Sequence, residues 1–331
     1  MFRRDGVLVV PGVVSSEEVE ACRAEFHGAL LARYGVDVNN LAATAGNLGR
    51  ASSTNGAGGI LDVFYEPFQL RLAESPQIVS ILCDLWREMR DTYTAEQQAD
   101  MDPGRALAAV DRVCFRVNDA ISSSASVGGK KRQTLQRHLA PHLDCCPHQV
   151  SGGSKAVKWR PIQCFVALTD CLEENRGGLE ACFGHHLAFS SWSDCRINSV
   201  STGLPAPCVG EFTPIRPVED SDIISRMQHV PCRAGDLVLW DNRIPHANAR
   251  SNTGCTREVV YLKLMPHCPL NVEYVASQRS SFMARSPPTD FWIAGGAEED
   301  KREDKEKIAP LSLSPLGRSL FGLDPCVEQV I

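Results

Sequence analysis

The sequence predicts a mainly β protein with flanking α-helices, in which a helical N-terminal layer covers an antiparallel sandwich or barrel. Short runs of β-branched, aromatic and aliphatic residues lie between residues 113 and 264, and Gly, Pro, Asn or Asp bounds each run. Two earlier segments, 19–34 and 76–89, repeat apolar residues at helical spacing. With 331 residues and 43% hydrophobic content, the chain is long enough for one large core.

The helical layer begins after a short strand. Val7–Val10 are four consecutive aliphatic residues, and a Pro-Gly pair ends the run. Ser15–Glu18 then supply an N-cap and acidic first-turn residues, which favours a helix over Val19–Tyr34. Residues 42–59 are rich in Gly, Ala, Ser, Thr and Asn, so they predict a loop. A second helix is predicted over 76–89, with a proline in its first turn.

Four apolar runs form the predicted β-core. Each run has the length and the β-branched content of a strand. The long segments between them, 118–135 and 190–230, are predicted to be loops that carry function or move. The predicted strands are Val113–Val117, Ile162–Leu168, Leu237–Trp240 and Val259–Leu264.

The chain is predicted to form one domain followed by a linker and a tail. Residues 298–307 are all charged, six acidic and four basic, which indicates a solvated linker or an exposed helix. After them comes a short apolar segment that we expect to dock back on the domain. The predicted boundaries are a domain over 1–295, with a helical layer over about 1–110 and a core over about 111–270, a linker over 296–308, and a tail over 309–331.

Charge and hydropathy narrow the classes of partner. The formal net charge of −6 argues against a nucleic-acid partner, which usually leaves a basic footprint. The sequence has no apolar run long enough to span a membrane. It has neither a secretory signal nor a C-terminal peroxisomal address, so the expected location is cytoplasmic. The expected partner is a small-molecule substrate, and no oligomeric state is predicted.

The fourteen cysteines are scattered along the chain and suggest no disulfide framework. Cys145 and Cys146 lie close to His138 and His148, which raises the question of zinc. However, no second CxxC or HxxxH pair completes a tetrahedral site. We therefore expect reduced thiols in the core and on the surface.

One group of residues has the pattern of a metal site. His142 and Asp144 are two positions apart, so an extended backbone places both side chains on one face. His246, which follows the predicted strand Leu237–Trp240, is the best candidate for a distant third ligand. Two imidazoles and one carboxylate leave three octahedral positions open, as in non-haem Fe(II) oxygenases. A bidentate 2-oxo acid and O₂ can fill those positions.

Arg257 lies eleven residues beyond His246 and begins the last predicted strand. If residues 251–254 form a hairpin turn, Arg257 pairs back near His246 on the same inner face. A guanidinium fork at that place suits the distal carboxylate of 2-oxoglutarate. The other interpretation is an ordinary surface arginine, and the spacing alone leaves both open.

Taken in order, these segments resemble the phytanoyl-CoA dioxygenase family of Fe(II)/2-oxoglutarate oxygenases. The similarity runs from near the N-terminus to about residue 265, and the ordered set is far more specific than any one member. The matching segments are Asp5–Gly12, His142–Asp144, Ala167–Asp170, Asn175–Leu179, Gly235–His246 and Arg257. The resemblance implies a double-stranded β-helix (jelly-roll) barrel, with His142, Asp144 and His246 as iron ligands and Arg257 as the clamp for 2-oxoglutarate.

The resemblance also implies an activity. A dioxygenase of this family uses Fe(II), 2-oxoglutarate and O₂, with ascorbate as a supporting reductant, and releases succinate and CO₂. We expect hydroxylation of a small organic or acyl-type substrate, since halogenating relatives lack the metal carboxylate that Asp144 supplies. Gln163 is a further candidate for contact with the co-substrate. Two other functions stay open: a non-catalytic metal-binding jelly roll that senses a ligand or is structural, and a cupin-like metal enzyme that does not use 2-oxoglutarate.

Two positions depart from the family pattern. Family members often have Pro-Gly-Ser-His after the Gly-Gly-Leu segment, where this chain has Phe183-Gly184-His185-His186. Asn248 stands where a serine is frequent, two residues past the last predicted ligand. His185 and His186 are expected to pack or hydrogen-bond within a loop, and a contact with substrate is the alternative.

Overall fold

The computed structural model describes residues 1–125, 134–150, 156–200, 208, 210–288 and 311–324. Its strands are β1 (Val7–Val10), β2 (Ile60–Leu61), β3 (Asp102–Ala109), β4 (Val113–Arg116), β5 (His142–Leu143), β6 (Ile162–Ala167), β7 (Leu179–Ala181), β8 (Thr213–Pro214), β9 (Gln228–His229), β10 (Leu237–Asp241), β11 (His246–Asn248) and β12 (Arg257–His267). Its α-helices are α1 (Phe2–Asp5), α2 (Ser16–Tyr34), α3 (Leu41–Thr44), α4 (Pro67–Ala73), α5 (Pro76–Met89), α6 (Ala95–Asp100), α7 (Asp119–Ser124), α8 (Pro147–Val150), α9 (Phe189–Val200), α10 (Ser221–Ser225), α11 (Pro269–Ala284) and α12 (Pro315–Leu320). Short 3₁₀ turns span Val38–Asn40, Ala45–Ala51, Arg90–Thr92 and His185–Leu187.

The strands form two antiparallel sheets that face each other. One has seven strands in the order β1-β10-β6-β12-β4-β2, with β3 also paired to β12, and the other has five in the order β8-β5-β11-β7-β9. Apolar side chains from both sheets meet in one buried cluster, among them Leu179 and Ala181 of β7 and Val238 and Trp240 of β10. Two sheets packed in this way form a jelly roll, so the predicted fold class is confirmed.

A second core lies on the other side of the seven-stranded sheet, beneath the N-terminal helices. On β12, Val259 belongs to the inter-sheet cluster, whereas its neighbour Val260 belongs to the helix-side cluster. Phe26 of α2 packs edge-on against Phe115 of β4, with ring centroids 5.7 Å apart. Because the central strands are covered on both faces, they are mostly apolar rather than alternating.

The helical layer is also attached to the sheet by a buried ionic cluster. Glu258 of β12 is 1% exposed and accepts hydrogen bonds from both Nε and Nη2 of Arg23 on α2, at 3.1 and 3.0 Å. His27, one turn further along α2, places its Nε2 3.0 Å from the same carboxylate. The Arg23 and His27 side chains hold the pKa of Glu258 below its usual value, although burial alone would raise it. These contacts fix the position of β12 next to Arg257.

Three local predictions are wrong. The predicted loop 118–135 contains α7, which begins where the Asn118 side chain accepts a hydrogen bond from the Ile121 backbone. Residues 42–59 contain α3 and a 3₁₀ helix rather than a continuous loop. The predicted loop 190–230 contains most of α9, whose serine-rich sequence carries little helical signal.

The C-terminal part is described in one segment. α12 packs against β3, and its Leu320 together with the following Phe321 is buried. The charged residues 298–307, predicted to be a linker, lie outside the described residues. Over the described ranges, no helix combines the length and the apolar character needed to cross a membrane.

Candidate metal centre

Two strands of the five-stranded sheet bring the three predicted ligands together. His142 of β5 and His246 of β11 are direct cross-strand partners, although 104 positions separate them in the sequence. Asp144 lies two residues beyond His142, on the same face. Its Oδ1 is 3.5 Å from Nε2 of His142, and its Oδ2 is 3.6 Å from Nε2 of His246. Among the described residues, these three form the one cluster whose ligand atoms lie within 4.8 Å of one another.

Backbone carbonyl groups orient both imidazoles. Nδ1 of His142 lies 2.8 Å from the Ala140 carbonyl oxygen, and Nδ1 of His246 lies 3.0 Å from the Ile244 carbonyl oxygen. A carbonyl oxygen only accepts, so each Nδ1 carries the hydrogen and each Nε2 presents a lone pair. At 3.5 and 3.6 Å the Nε2 atoms are too far from the carboxylate for good hydrogen bonds. Three acceptor groups therefore face one point without a donor among them, which is an arrangement suited to a cation.

The electrostatics of the site favour the metal-binding protonation states. Burial, together with the neighbouring His246, lowers the pKa of His142 to about 4, so this imidazole is neutral at pH 7. Burial alone would raise the pKa of Asp144, but His142 and His246 outweigh it and hold that pKa far below its usual range. A neutral imidazole and an ionised carboxylate bind a divalent ion without first releasing a proton.

Aromatic rings enclose the site on two sides and leave a third side open. Phe212 stacks on the His142 ring at 5.0 Å, and Trp240 lies 5.2 Å from the His246 ring. The Asp144 side chain is 35% exposed, in contrast to the two imidazoles. The exposed part of the site is therefore the Asp144 side, and Phe212, which is 39% exposed, lies beside it on His142.

Arg257 faces the same interior from the opposite sheet. The conditional hairpin is wrong, because β11 pairs with β5 and β7, whereas β12 pairs with β3, β4 and β6. Successive strands of a jelly roll alternate between its two sheets, so residues 251–254 cross between them. Arg257 shares its strand face with the inter-sheet residues Val259 and Tyr261 and is only 2% exposed. This burial excludes the ordinary surface arginine.

The Arg257 guanidinium has unused hydrogen-bonding capacity. Its Nη1 donates to the Cys114 thiol at 3.3 Å, and its central carbon, Cζ, lies 5.3 Å from the centre of the Phe165 ring. Its Nε and Nη2 are buried and have no hydrogen-bond partner. A buried cation with two unpaired N–H groups is costly unless an anion joins it. The arrangement therefore fits a carboxylate ligand such as the distal end of 2-oxoglutarate.

Tyr261 is a candidate site residue that the sequence analysis missed. It is four residues beyond Arg257 on β12, so the two side chains share a strand face. Its phenol interacts with the Arg257 guanidinium, and its ring packs edge-on against Phe165 at 6.0 Å. The signal was present in the period-2 spacing of this strand, which places Arg257, Val259 and Tyr261 on one side.

Gln163 lies on the inner face of β6, directly across from Trp240. Its Nε2 donates to the Asn242 side-chain oxygen at 2.5 Å, and its Oε1 accepts from Arg160 at 3.1 Å. Arg160 in turn contacts Asp111 at 3.1 Å. Both ends of the amide therefore have protein partners in this structure, and its contact with the co-substrate stays a prediction.

The two departures from the family pattern are buried within the protein. His185 is 2% exposed and packs edge-on against Trp192 at 5.7 Å, and burial lowers its pKa to about 4. His186 places Nε2 3.0 Å from the Arg3 carbonyl oxygen, as expected for a packed loop pair. Asn248 packs closely on Gly58: a Cβ added at Gly58 would lie 2.6 Å from the Asn248 side-chain oxygen.

The cysteines depart from the expectation at one position. Cys146, two residues beyond Asp144, is joined to Cys208 by a disulfide. The expectation that all the thiols are reduced is therefore wrong for this pair, because the fold brings the two residues together across 62 positions of sequence. The other cysteines of the described part of the chain are free thiols, and most of them are buried.

Comparison with known proteins identifies the family. The family model for phytanoyl-CoA dioxygenase (PhyH) matches residues 2–259, and a Gig2-like model matches residues 203–322. No curated protein matches significantly.

Solved structures show the same fold at low sequence identity. A hypothetical protein from Escherichia coli has a TM-score of 0.69 at 15% identity, over 97% of this chain and 80% of that one. The product of GlcNAc inducible gene 2 from Candida albicans has a TM-score of 0.68 at 14% identity, over 99% of this chain and 77% of that one. The match to the PhyH model extends over most of the sequence and includes all three predicted ligands and Arg257, so this chain belongs to the phytanoyl-CoA dioxygenase family.

Proposed function

We propose that the protein is an Fe(II)- and 2-oxoglutarate-dependent dioxygenase that hydroxylates a small organic or acyl-type substrate and releases succinate and CO₂. One observation supports this most: a three-acceptor metal site faces the same interior as a buried guanidinium with two unpaired N–H groups. Bound iron supplies the chemistry of O₂ activation, driven by decarboxylation of 2-oxoglutarate. Family membership supports the oxygenase class.

The chain's own residues have separate tasks in this proposal. His142, Asp144 and His246 hold the ion, and the Ala140 and Ile244 carbonyl groups keep both Nε2 atoms aimed at it. A facial set of three ligands leaves the remaining positions to the co-substrate and O₂. Asp144 supplies the carboxylate ligand, and its presence favours hydroxylation over halogenation.

Arg257 binds the distal carboxylate of 2-oxoglutarate through its unpaired Nε and Nη2. The surrounding rings of Phe165, Trp240 and Tyr261 exclude water, which strengthens the ionic contact. The substrate enters along the exposed side of Asp144, next to Phe212. Ascorbate acts only as an external reductant that maintains Fe(II).

Succinate release tests the proposal without knowledge of the substrate. The protein is incubated with Fe(II), 2-oxoglutarate, O₂ and ascorbate, alone and with a panel of small organic acids and acyl compounds. We expect slow uncoupled succinate formation that a substrate accelerates, and none in the Asp144→Ala variant. A protein that binds Fe(II) but neither binds nor consumes 2-oxoglutarate would be a metalloprotein of another class.

A further inference from the structure

The thiol of Cys114 is a buried hydrogen-bond partner of the Arg257 guanidinium. Cys114 of β4 is fully buried and pairs across the strands with Val259, so it lies beside Arg257 in the inter-sheet core. Its sulfur accepts a hydrogen bond from Nη1 of Arg257 at 3.3 Å. Its own hydrogen points to the Gly58 carbonyl oxygen at 3.2 Å. The Arg257 carbonyl oxygen, at 3.9 Å, is a more distant acceptor for the same hydrogen. With the hydrogen on Gly58, the nearer acceptor, the sulfur lone pairs are available to the guanidinium.

This contact determines which edge of the guanidinium is left for a ligand. With Nη1 on the thiol, the two nitrogens without partners are Nε and Nη2. These two share one edge and point their hydrogens in parallel, which is the geometry of a bidentate carboxylate contact. Arg243 in this protein holds Asp241 in the same way, with Nε and Nη2 at 2.8 and 2.7 Å from the two carboxylate oxygens.

We propose that Cys114 is a positioning residue for the co-substrate clamp: it fixes the rotation of the Arg257 guanidinium so that the Nε–Nη2 edge faces the distal carboxylate of 2-oxoglutarate. The inference rests on the proposed function. A thiol suits the task because it accepts a hydrogen bond without cancelling the guanidinium charge, as a carboxylate would. Burial raises the pKa of Cys114, so the thiol is neutral at pH 7.

Simple packing is the competing explanation, and a second cysteine separates the two. Cys164 lies on the adjacent strand β6 and is also buried, at 2% exposure. Its sulfur faces the helix-side core and points to the Leu262 carbonyl oxygen at 3.7 Å. Replacing either thiol by valine keeps a similar volume, but only the replacement at Cys114 removes a partner of Arg257.

The test measures the equilibrium binding of two 2-oxo acids to the Fe(II)-loaded protein without O₂. 2-Oxoglutarate has a distal carboxylate, whereas 2-oxobutyrate lacks it and contacts only the metal end of the site. Both acids are titrated into the wild type and into Cys114→Val, Cys114→Ala, Cys114→Ser and Cys164→Val. The ratio of the two dissociation constants reports on the clamp, because general damage to the fold weakens the binding of both acids alike.

We expect Cys114→Val and Cys114→Ala to bind 2-oxoglutarate about tenfold more weakly, the value of one hydrogen bond to a charged group. Binding of 2-oxobutyrate should not change. Cys114→Ser, which retains an acceptor, should recover most of the affinity, and Cys164→Val should match the wild type.

The positioning role would be overturned if Cys114→Val and Cys114→Ala both kept the wild-type ratio of the two dissociation constants. Such an unchanged ratio could arise from unchanged affinities or from equal losses of affinity for both acids. A wild type that does not prefer 2-oxoglutarate at all would instead refute the clamp role of Arg257 and the proposed function with it. If the alanine variant fails to fold, the valine and serine variants still give the comparison.

Discussion

Replacing Arg257 by methionine should make the ligand-free protein more stable, although it disables the clamp. The two buried guanidinium nitrogens without a partner, Nε and Nη2 of Arg257, each cost about 1 to 3 kcal/mol, and methionine removes both. The variant also loses the bond to Cys114 and the contact with the Phe165 ring, at about 1 kcal/mol each. Methionine fills most of the volume, so we expect a net gain of about 2 kcal/mol in the free energy of unfolding.

Urea unfolding, followed by circular dichroism with and without 2-oxoglutarate, measures both effects. In the presence of Fe(II) and without O₂, 2-oxoglutarate at a hundred times its dissociation constant should stabilise the wild type by about 2.7 kcal/mol. The same concentration should add little to the Arg257→Met variant. The stability order of the two proteins is therefore expected to reverse when the co-substrate is added.

Arg116 provides the matched control. It is also 2% exposed, but its Nη1 and Nη2 donate to the carbonyl oxygens of Ala249 and Arg250, so its charge is well partnered. Arg116→Met leaves those carbonyl groups unpaired and should lower the free energy of unfolding by about 2 kcal/mol. The reasoning would be refuted if Arg257→Met were destabilised to the same extent and 2-oxoglutarate still stabilised it as it does the wild type.

Three further predictions follow from the site and its supports. Asp144→Ala should lower the affinity for Fe(II) by more than about a hundredfold, which exceeds the loss expected for a residue that only hydrogen-bonds to a metal ligand. Competition with a chelator measures the affinity, and full retention would contradict the ligand set. Because Glu258 has a lowered pKa in the folded protein, the stability that it contributes is present above its unfolded pKa of about 4.3 and is lost as pH falls through the lower folded pKa. The difference in unfolding free energy between wild type and Glu258→Gln should therefore shrink below about pH 4, and a constant difference would show that the ionised form is unimportant. Reduction of the Cys146–Cys208 disulfide, whose sequence separation is 62, should lower the free energy of unfolding by up to about 4 kcal/mol, which urea unfolding with and without reductant tests; Cys146→Ser should be insensitive to the reductant.

The predictable parts of the site depend on local geometry. His142 and Asp144 are two residues apart, so strand periodicity alone places them together. The same period predicts that Val259 and Tyr261 share a face with Arg257. His246 lies 104 positions beyond His142, so no local rule predicts that the two residues meet. The order of the family motifs was the basis for assigning it as the third ligand.

The unpredicted parts depend on which strands become neighbours. The hairpin between His246 and Arg257 was the simplest local solution, yet β11 and β12 belong to different sheets. Cys114 contacts Arg257 across 143 positions, and a lone cysteine in an apolar strand gives no sign of its partner.

The separation of the metal ligands and Arg257 between the two sheets has a consequence for co-substrate choice. The three predicted ligands lie on or next to β5 and β11 of the five-stranded sheet. Arg257, the proposed clamp, lies on the seven-stranded sheet, where it contacts Cys114 and is followed by Glu258, which is bonded to Arg23. Packed sheets lie about 10 Å apart, so a ligand held at both ends must reach across the interior. Arg116 of β4 donates hydrogen bonds to carbonyl groups just beyond β11 and so connects the two sheets near this span. We therefore expect oxaloacetate, one carbon shorter than 2-oxoglutarate, to bind the Fe(II)-loaded protein more weakly. Competition between the two acids measures this difference, and equal affinities would refute a fixed span.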